Sequence, residues 1–183
     1  NVGSGNHGFQ TAIMIKQIEE VLLKENPQAV VVYGDTNSTL ATAIAASKIH
    51  VPIVHIEAGL RSFNKLMPEE INRIMCDHAS TLLFSPTITG LNNLINEGFK
   101  FVDHYKANID NPMIYHCGDV MYDNSIYFSQ MSKKQSDIIS KLKLIKNDFI
   151  LSTVHRNDNT DNKENLTHIF NAFLRISEKH QMP

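Results

Sequence analysis

The stretch VVYGDTNSTL, residues 31–40, predicts the fold and raises the first question about function. Its β-branched start is typical of a buried strand, and Asp35 with a row of hydroxyl residues follows directly after Gly34. Asp35 could cap the next helix or lie in a surface turn. It could also face a ligand crevice, but only if other polar groups converge on the same place.

Strand and helix patterns alternate on both sides of this stretch. Short β-branched runs predict strands, and apolar residues three and four positions apart predict amphipathic helices. Such alternation favours an α/β fold with a doubly wound, parallel, Rossmann-like sheet. The predicted strands are residues 29–34, 51–59, 81–86 and 113–118, and the predicted helices are residues 9–25, 37–49, 68–80 and 87–97.

The alternation of strands and helices stops after the fourth predicted strand. Residues 1–118 are therefore expected to form an incomplete N-terminal Rossmann-like domain, and residues 119–147 a helical connector. A buried strand at 148–155 and a helix at 162–180 predict that residues 148–183 are the first strand–helix unit of a second Rossmann-like domain. One such unit cannot bury its own faces. We expect the chain to be a fragment, cut at both ends from a longer polypeptide.

Composition and charge exclude several classes of function. The 183 residues carry a formal charge of −2 with scattered Lys and Arg, so no nucleic-acid partner is predicted. No apolar run is long enough to predict a membrane span. The two cysteines, Cys76 and Cys117, lack the spacing of a zinc site or a redox pair and favour a reducing, cytoplasmic location.

Common cofactor and nucleophile motifs are also missing from the sequence. It contains no G-x-G-x-x-G, no P-loop, no H-E-x-x-H and no G-x-S-x-G. We therefore expect no nicotinamide, no metal and no other cofactor.

Polar side chains follow the predicted strands, where open parallel sheets bind ligands. Several carboxylates at one edge repel each other unless one is protonated or a ligand uses them. A carboxyl group with a raised pKa supplies a general acid or base near neutral pH. We interpret these side chains as a functional cluster, which consists of Asp35, Glu57, Arg61, Glu69, His155 and Arg156.

Each member of the cluster also has a structural interpretation. Glu57 could pair with Arg61, and Glu69 could pair with Arg73 one helical turn later. His155 could be an ordinary structural histidine, and the neighbouring Asn72 a polar surface residue.

Four segments resemble the non-hydrolysing UDP-N-acetylglucosamine 2-epimerases. They are GDTNSTLA at 34–41, HIEAGLRSFNKLMPEEINR at 55–73, LFSPT at 83–87 and STVHR at 152–156. The motif RSFN…MPEEINR, together with GDVMYD at 118–123, is most similar to the branch that acts on UDP-2,3-diacetamido-2,3-dideoxyglucuronate.

The resemblance implies two Rossmann-like domains facing a cleft, the GT-B arrangement, of which this chain would hold a part. It implies a UDP-sugar substrate, no metal or nicotinamide, and a homodimer. The implied reaction inverts C2 of a UDP-N-acetylhexosamine by elimination and re-addition of UDP, for synthesis of surface polysaccharide precursors. Since family members are roughly twice this length, the resemblance predicts that the isolated chain is inactive.

The resemblance also implies roles for individual residues. Asp35 and Glu57 are expected to transfer protons and contact the sugar, and Glu69 to support proton transfer or domain closure. His155 is expected to bind the sugar–diphosphate region and assist its departure. Arg61 is expected to bind substrate.

Arg156 is expected to bind substrate as well, and with Gln10 it matches positions that bind a regulatory UDP-sugar in some members. The run HRNDNTDN from residue 155 departs from the commoner HRREN of the family, which weakens the regulatory prediction. Two alternatives remain open at this point: a GT-B glycosyltransferase, and a non-catalytic sugar-nucleotide binding module.

Overall fold

The computed structural model of the chain describes residues 2, 5–101, 106–155 and 157–183. The chain divides into two units, Asn1–Asn124 and Ser125–Pro183. The three-part division expected from the sequence, with limits at 118 and 147, stays a prediction.

The sheet of the first unit is entirely parallel. Its strands are β1 (Val30–Tyr33), β2 (Ile53–Ile56), β3 (Leu82–Ser85) and β4 (Met113–His116), in the order β1-β2-β3-β4. The predicted α/β class with a parallel Rossmann-like sheet is confirmed. Because every strand pair is parallel, the carboxyl ends of all four strands meet at one edge.

Four helices connect and flank these strands, and each begins where the local sequence favours it. They are α1 (His7–Glu25), α2 (Asn37–Lys48), α3 (Pro68–Ala79) and α4 (Ile88–Asn96). The hydroxyls of Thr36 and Thr87 accept hydrogen bonds from the first turns of α2 and α4. Pro68 starts α3, where its missing N–H costs nothing. Helix α2 packs against both α1 and α3.

The helices cover one face of the sheet. Val32, Ile53 and Leu83 are buried on this face, and alanines of α2 allow the helix to approach closely. The sequence of β1 predicts cover on both faces, but Val31 and Tyr33 on the other face are 55% and 61% exposed. Crossovers that run in one direction with one hand place their helices on a single side, which explains the difference.

The second unit is helical in its described part. Its elements are the end of α5 (Val120–Gln135), then α6 (Ile138–Lys141), α7 (Asn157–Thr160) and α8 (Lys163–His180). Residues 148–155 form no strand, although their sequence predicts one. A strand needs a neighbour for its backbone groups; here the N–H of Ile150 bonds instead to the carbonyl of Pro183 (3.1 Å). Each helix in the described residues is too short or too polar to cross a lipid bilayer.

Candidate active site at the carboxyl edge of the sheet

Asp35 and Glu57 lie side by side at this edge. They follow the neighbouring strands β1 and β2, which are joined beyond their ends by a hydrogen bond from the Gly34 N–H to the Ile56 carbonyl (3.1 Å). A Cβ on Gly34 would lie 3.0 Å from Glu57 Oε2, so the Glu57 carboxylate rests over Gly34. Glu57 has a φ of 74°, a left-handed conformation that is strained for this residue and often marks a functional position.

Arg73 of α3 holds the Asp35 carboxylate. Its Nη2 forms an ion pair with Asp35 Oδ2, and its Nη1 forms a second ion pair with Glu70 Oε2 at 3.2 Å. The guanidinium therefore bridges two carboxylates and orients Asp35. The pairing of Glu69 with Arg73, one of the structural interpretations of the sequence, is not the one that forms.

The two acids at the start of α3 differ in environment. Glu70 is buried and accepts hydrogen bonds from the N–H and hydroxyl of Ser62 (2.8 and 3.0 Å) and from the N–H of Phe63 (2.9 Å). Burial alone would raise the pKa of Glu70, but these donors and Arg73 outweigh it and lower the pKa below its ordinary value. Glu69 is half-buried, and its side chain forms no hydrogen bond or ion pair with the described residues. Its carboxylate is therefore available to a ligand, whereas that of Glu70 holds a loop.

A chain of amides supports the backbone of Asp35. Asn72 Nδ2 donates to the Asp35 carbonyl (2.8 Å) and to Asn37 Oδ1 (3.2 Å). Asn37 Nδ2 in turn bonds to His7 Nδ1 (2.9 Å) and donates to Gln10 Oε1 (3.3 Å). Asn72 is thus buried rather than a surface residue, and Gln10 lies at the start of α1 in this network.

A buried charged group lies directly behind the two turns. His55 Nδ1 is 2.6 Å from Asp77 Oδ1, and His55 Nε2 is 2.9 Å from the Gly34 carbonyl. Because both partners are acceptors, both ring nitrogens must donate, which describes an imidazolium. Burial works to lower the pKa of His55, but the hydrogen bonds and charge interactions with Asp77 and Cys76 together outweigh burial and raise the pKa to about 10.

Arg61 belongs to the same buried group. Its Nη1 lies 2.8 Å from Asp77 Oδ2, and its Nε and Nη2 bind the two oxygens of Glu97 at 2.7 Å each. Every guanidinium nitrogen therefore already donates, and the side chain is 1% exposed. Substrate binding by Arg61 stays a prediction, and this geometry favours a supporting role instead. The pairing of Glu57 with Arg61 is not formed.

The histidine and arginine predicted from the STVHR segment belong to the second unit. His155 lies in the segment before α7 and has an exposed side chain. Arg156 lies outside the described residues. Within the first unit, the structure brings together Asp35, Glu57 and the support provided by α3.

Sequence reasoning missed the contribution of α3. Glu70, Arg73 and Asp77 lie three and four positions apart, so they share one face of the helix, and that face points toward the strand ends. A polar stripe at helical spacing is usually a solvated face. The available signal was that this stripe begins at the helix start that follows HIEAGLR, directly beside the predicted site.

The fold and site define a class: a parallel Rossmann-like domain with acidic side chains at the ligand-binding edge of its sheet. A family model described as UDP-N-acetylglucosamine 2-epimerase matches residues 1–183. The chain belongs to the UDP-N-acetylglucosamine 2-epimerase family.

Individual relatives agree with this assignment. The chain is 52% identical to a UDP-N-acetylglucosamine 2-epimerase homolog of Methanococcus maripaludis over 98% of its length. It is 49% identical to the UDP-2,3-diacetamido-2,3-dideoxy-D-glucuronate 2-epimerase of Pseudomonas aeruginosa over 96%. A solved Methanocaldococcus jannaschii UDP-GlcNAc 2-epimerase, in complex with UDP-GlcNAc and UDP, covers all of it at 41% identity with a TM-score of 0.83. The chain spans 47%, 46% and 48% of these three proteins, about half of each.

Proposed function

We propose that the chain carries the proton-transferring part of an enzyme that inverts C2 of a UDP-N-acetylhexosamine to supply surface polysaccharide precursors. The observation that carries the proposal is that Asp35 and Glu57, in segments typical of the family, converge at one sheet edge. The family match over residues 1–183 supports an epimerase over the alternative GT-B glycosyltransferase or binding module.

The chemistry accounts for the carboxylates. A base takes the C2 proton while the C1–O bond breaks. The electron pair of the C2–H bond forms the C1–C2 double bond, and the electron pair of the C1–O bond leaves on the diphosphate oxygen of UDP. UDP then adds back to C1 of the 2-acetamidoglycal, and a proton returns to C2 on the opposite face. Since the C2 proton is weakly acidic, its removal needs a closely placed base in a site shielded from water.

The environments of the two carboxylates suit different tasks. Glu57 forms no hydrogen bond or ion pair with the described residues, so its oxygens are free to accept or return a proton. Asp35 is oriented by Arg73, which favours a sugar contact or the second proton transfer. Glu69, whose carboxylate is also free, supports proton transfer or domain closure.

Further residues complete the proposal. His155 and Arg156 are proposed to hold the sugar–diphosphate region in a GT-B arrangement of two Rossmann-like domains. Gln10 and Arg156 are proposed to contact a regulatory UDP-sugar, supported for Gln10 by its hydrogen-bonded link through Asn37 toward Asp35. Arg61 is proposed to act through Asp77.

We also propose a homodimer, on the family resemblance, and a cytoplasmic location. The location is supported by Cys76 and Cys117, which are both free thiols.

Deuterium incorporation tests the reaction. The full gene product that contains residues 1–183 is incubated in deuterated water with UDP-N-acetylglucosamine, or with UDP-2,3-diacetamido-2,3-dideoxyglucuronate, and no acceptor. We expect deuterium at C2 of the product, detected by mass spectrometry and NMR. Turnover that needs a sugar acceptor and leaves C2 unlabelled would instead identify a glycosyltransferase.

Acid-to-amide variants test the site residues in the same assay. Asp35→Asn and Glu57→Gln are each expected to lower the rate of incorporation by about 100-fold or more, since general acid–base groups contribute roughly 10²–10⁴-fold. Glu20→Gln on the exposed surface of α1 is the matched control and should leave the rate unchanged. A wild-type rate in both site variants would remove them from the mechanism.

A further inference from the structure

His55 and Asp77 are buried, charged and not part of the proposed proton transfer. Neither side chain is exposed to solvent. Burying an ion pair costs several kcal/mol of desolvation per ion, so a pair of this kind is weak evidence for stability alone. The partners of the pair explain it better than stability does.

The pair connects the two turns that carry the carboxylates. His55 Nε2 donates to the carbonyl of Gly34, the residue directly before Asp35. Asp77 Oδ2 accepts from the N–H of Gly59, two residues after Glu57, at 3.1 Å. A continuous chain of hydrogen bonds therefore runs from Gly34 in the first turn, through His55 and Asp77, to Gly59 in the second turn.

The second turn needs such support, because Glu57 adopts a left-handed backbone conformation that is strained for a residue other than glycine, whereas the glycines of both turns adopt it readily. Gly34, Glu57 and Gly59 have φ values of 61°, 74° and 79°. A strained conformation persists only when its surroundings hold it. Gly59 is further confined, because a Cβ at this position would lie 2.3 Å from the carbonyl oxygen of Gly90.

We propose that His55 and Asp77 are positioning residues, which tie the Gly34–Asp35 turn to the Glu57–Gly59 turn and so set the spacing of the two reactive carboxylates. This inference rests on the proposed function. A displacement of about 1 Å at a reacting group can cost about 100-fold in rate, so the tie affects kcat more than substrate binding.

Two substitutions of His55 separate positioning from stability. The side-chain amide of Gln places an N–H near the position of Nε2, and that of Asn places one near Nδ1. His55→Gln therefore keeps the bond to Gly34 and loses Asp77, whereas His55→Asn keeps Asp77 and loses Gly34. We expect His55→Asn to lower kcat about 100-fold with KM changed less than about threefold, and His55→Gln to lose about 10-fold.

The assay is deuterium incorporation by the full gene product, expressed per folded molecule. Leu22→Ala, in the core between α1 and the sheet, is the control for lost stability and should keep the wild-type kcat. Equal kcat values for the two His55 variants and Leu22→Ala would overturn the inference. Absence of incorporation by the wild type would instead refute the proposed function.

Two further measurements test the inference, one that does not depend on activity and one that applies if the His55 variants do not fold. Backbone amide NMR signals of residues 34–36 and 57–59 should shift together in His55→Asn, and unchanged signals would refute the tie whatever the activity. If the His55 variants do not fold, Asp77→Asn decides, because it leaves a neutral His55 bonded to Gly34. We then expect kcat within about tenfold of wild type, and a 100-fold loss with the Nε2 proton still protected would contradict the proposal.

Discussion

The two units of the chain use similar apolar patterns with different results. In the first unit, apolar residues of the strands and α2 pack into a core, and Leu83 and Leu94 are fully buried. In the second, α8 carries an apolar stripe at helical spacing, but Phe170 and Leu174 are 55% and 60% exposed. An amphipathic pattern supplies an apolar face, and the first unit shows that burial also needs a sheet for this face to pack on.

The units also differ in how they use charge. Asp77 in the first unit is inaccessible to solvent, and its carboxylate accepts hydrogen bonds from His55, Gly59 and Arg61. Asp137 in the second unit pairs with Lys141 at 3.1 Å, and both side chains are largely exposed. The same residue type therefore organises a site in one unit and lies on a solvated surface in the other.

The largest expected effect is the loss of the buried carboxylate. Asp77→Ala leaves His55 and Arg61 without their shared counter-charge, and we expect the free energy of unfolding of the first unit to fall by about 3–5 kcal/mol. Urea unfolding followed by amide hydrogen exchange of β2 and β3 measures this unit separately. Asp137→Ala is the matched control, with an expected change below about 0.5 kcal/mol. Similar losses of unfolding free energy in both variants would contradict the difference proposed between the buried and the exposed carboxylate.

A smaller effect is expected from the apolar side chains. Leu83→Ala creates a cavity between Ala58, Leu94 and Ile114 and should cost about 2–5 kcal/mol. Leu174→Ala on the exposed stripe of α8 should cost about 0.5 kcal/mol or less. Hydrogen exchange in each unit measures both. A large loss at Leu174 would mean that the stripe is covered in solution.

The smallest expected effect, when it is expressed per pH unit, is the pH dependence of stability. The folded pKa of His55, about 10, lies above its ordinary value of 6.5, so its contribution is complete below about pH 6.5 and is lost as the pH rises towards 10. Glu70, with a lowered folded pKa, contributes above its ordinary value of 4.5 and loses this as the pH falls. The slope for one proton is at most about 1.4 kcal/mol per pH unit.

Urea unfolding of the first unit between pH 3 and pH 10 tests both signs. His55→Gln should flatten the alkaline side and leave the acidic side unchanged. An unfolding free energy that rises between pH 7 and pH 10 would contradict the assignment of His55 as a cation.

Much of the first unit could be predicted from its sequence. The four strands and four helices lie where their patterns indicate, because helix-breaking and helix-capping residues such as Pro27, Pro68 and Thr36 act locally. The position of Asp35 and Glu57 at one edge also follows from parallel strand order. The strand predicted at 148–155 does not form, because pairing depends on a neighbouring strand and not on the β-branched residues themselves.

The supporting side chains of the site could not be predicted in the same way. Glu70, Arg73 and Asp77 are ordinary residues for a helix surface, and only the packing of α3 at the strand ends turns them inward. The choice of Glu70 rather than Glu69 as the buried acid depends on rotation of the helix by one residue, about 100°.

By itself, the amino-acid sequence determined the α/β class, the parallel sheet and the acids at its edge, since these depend on local patterns and on strand direction. Only the tertiary structure decided that His55 is a buried cation, that Asp77 links two turns and that Arg61 is already bound. Those states arise from contacts between residues distant in sequence, and a side chain's charge and role depend on the groups that replace its water.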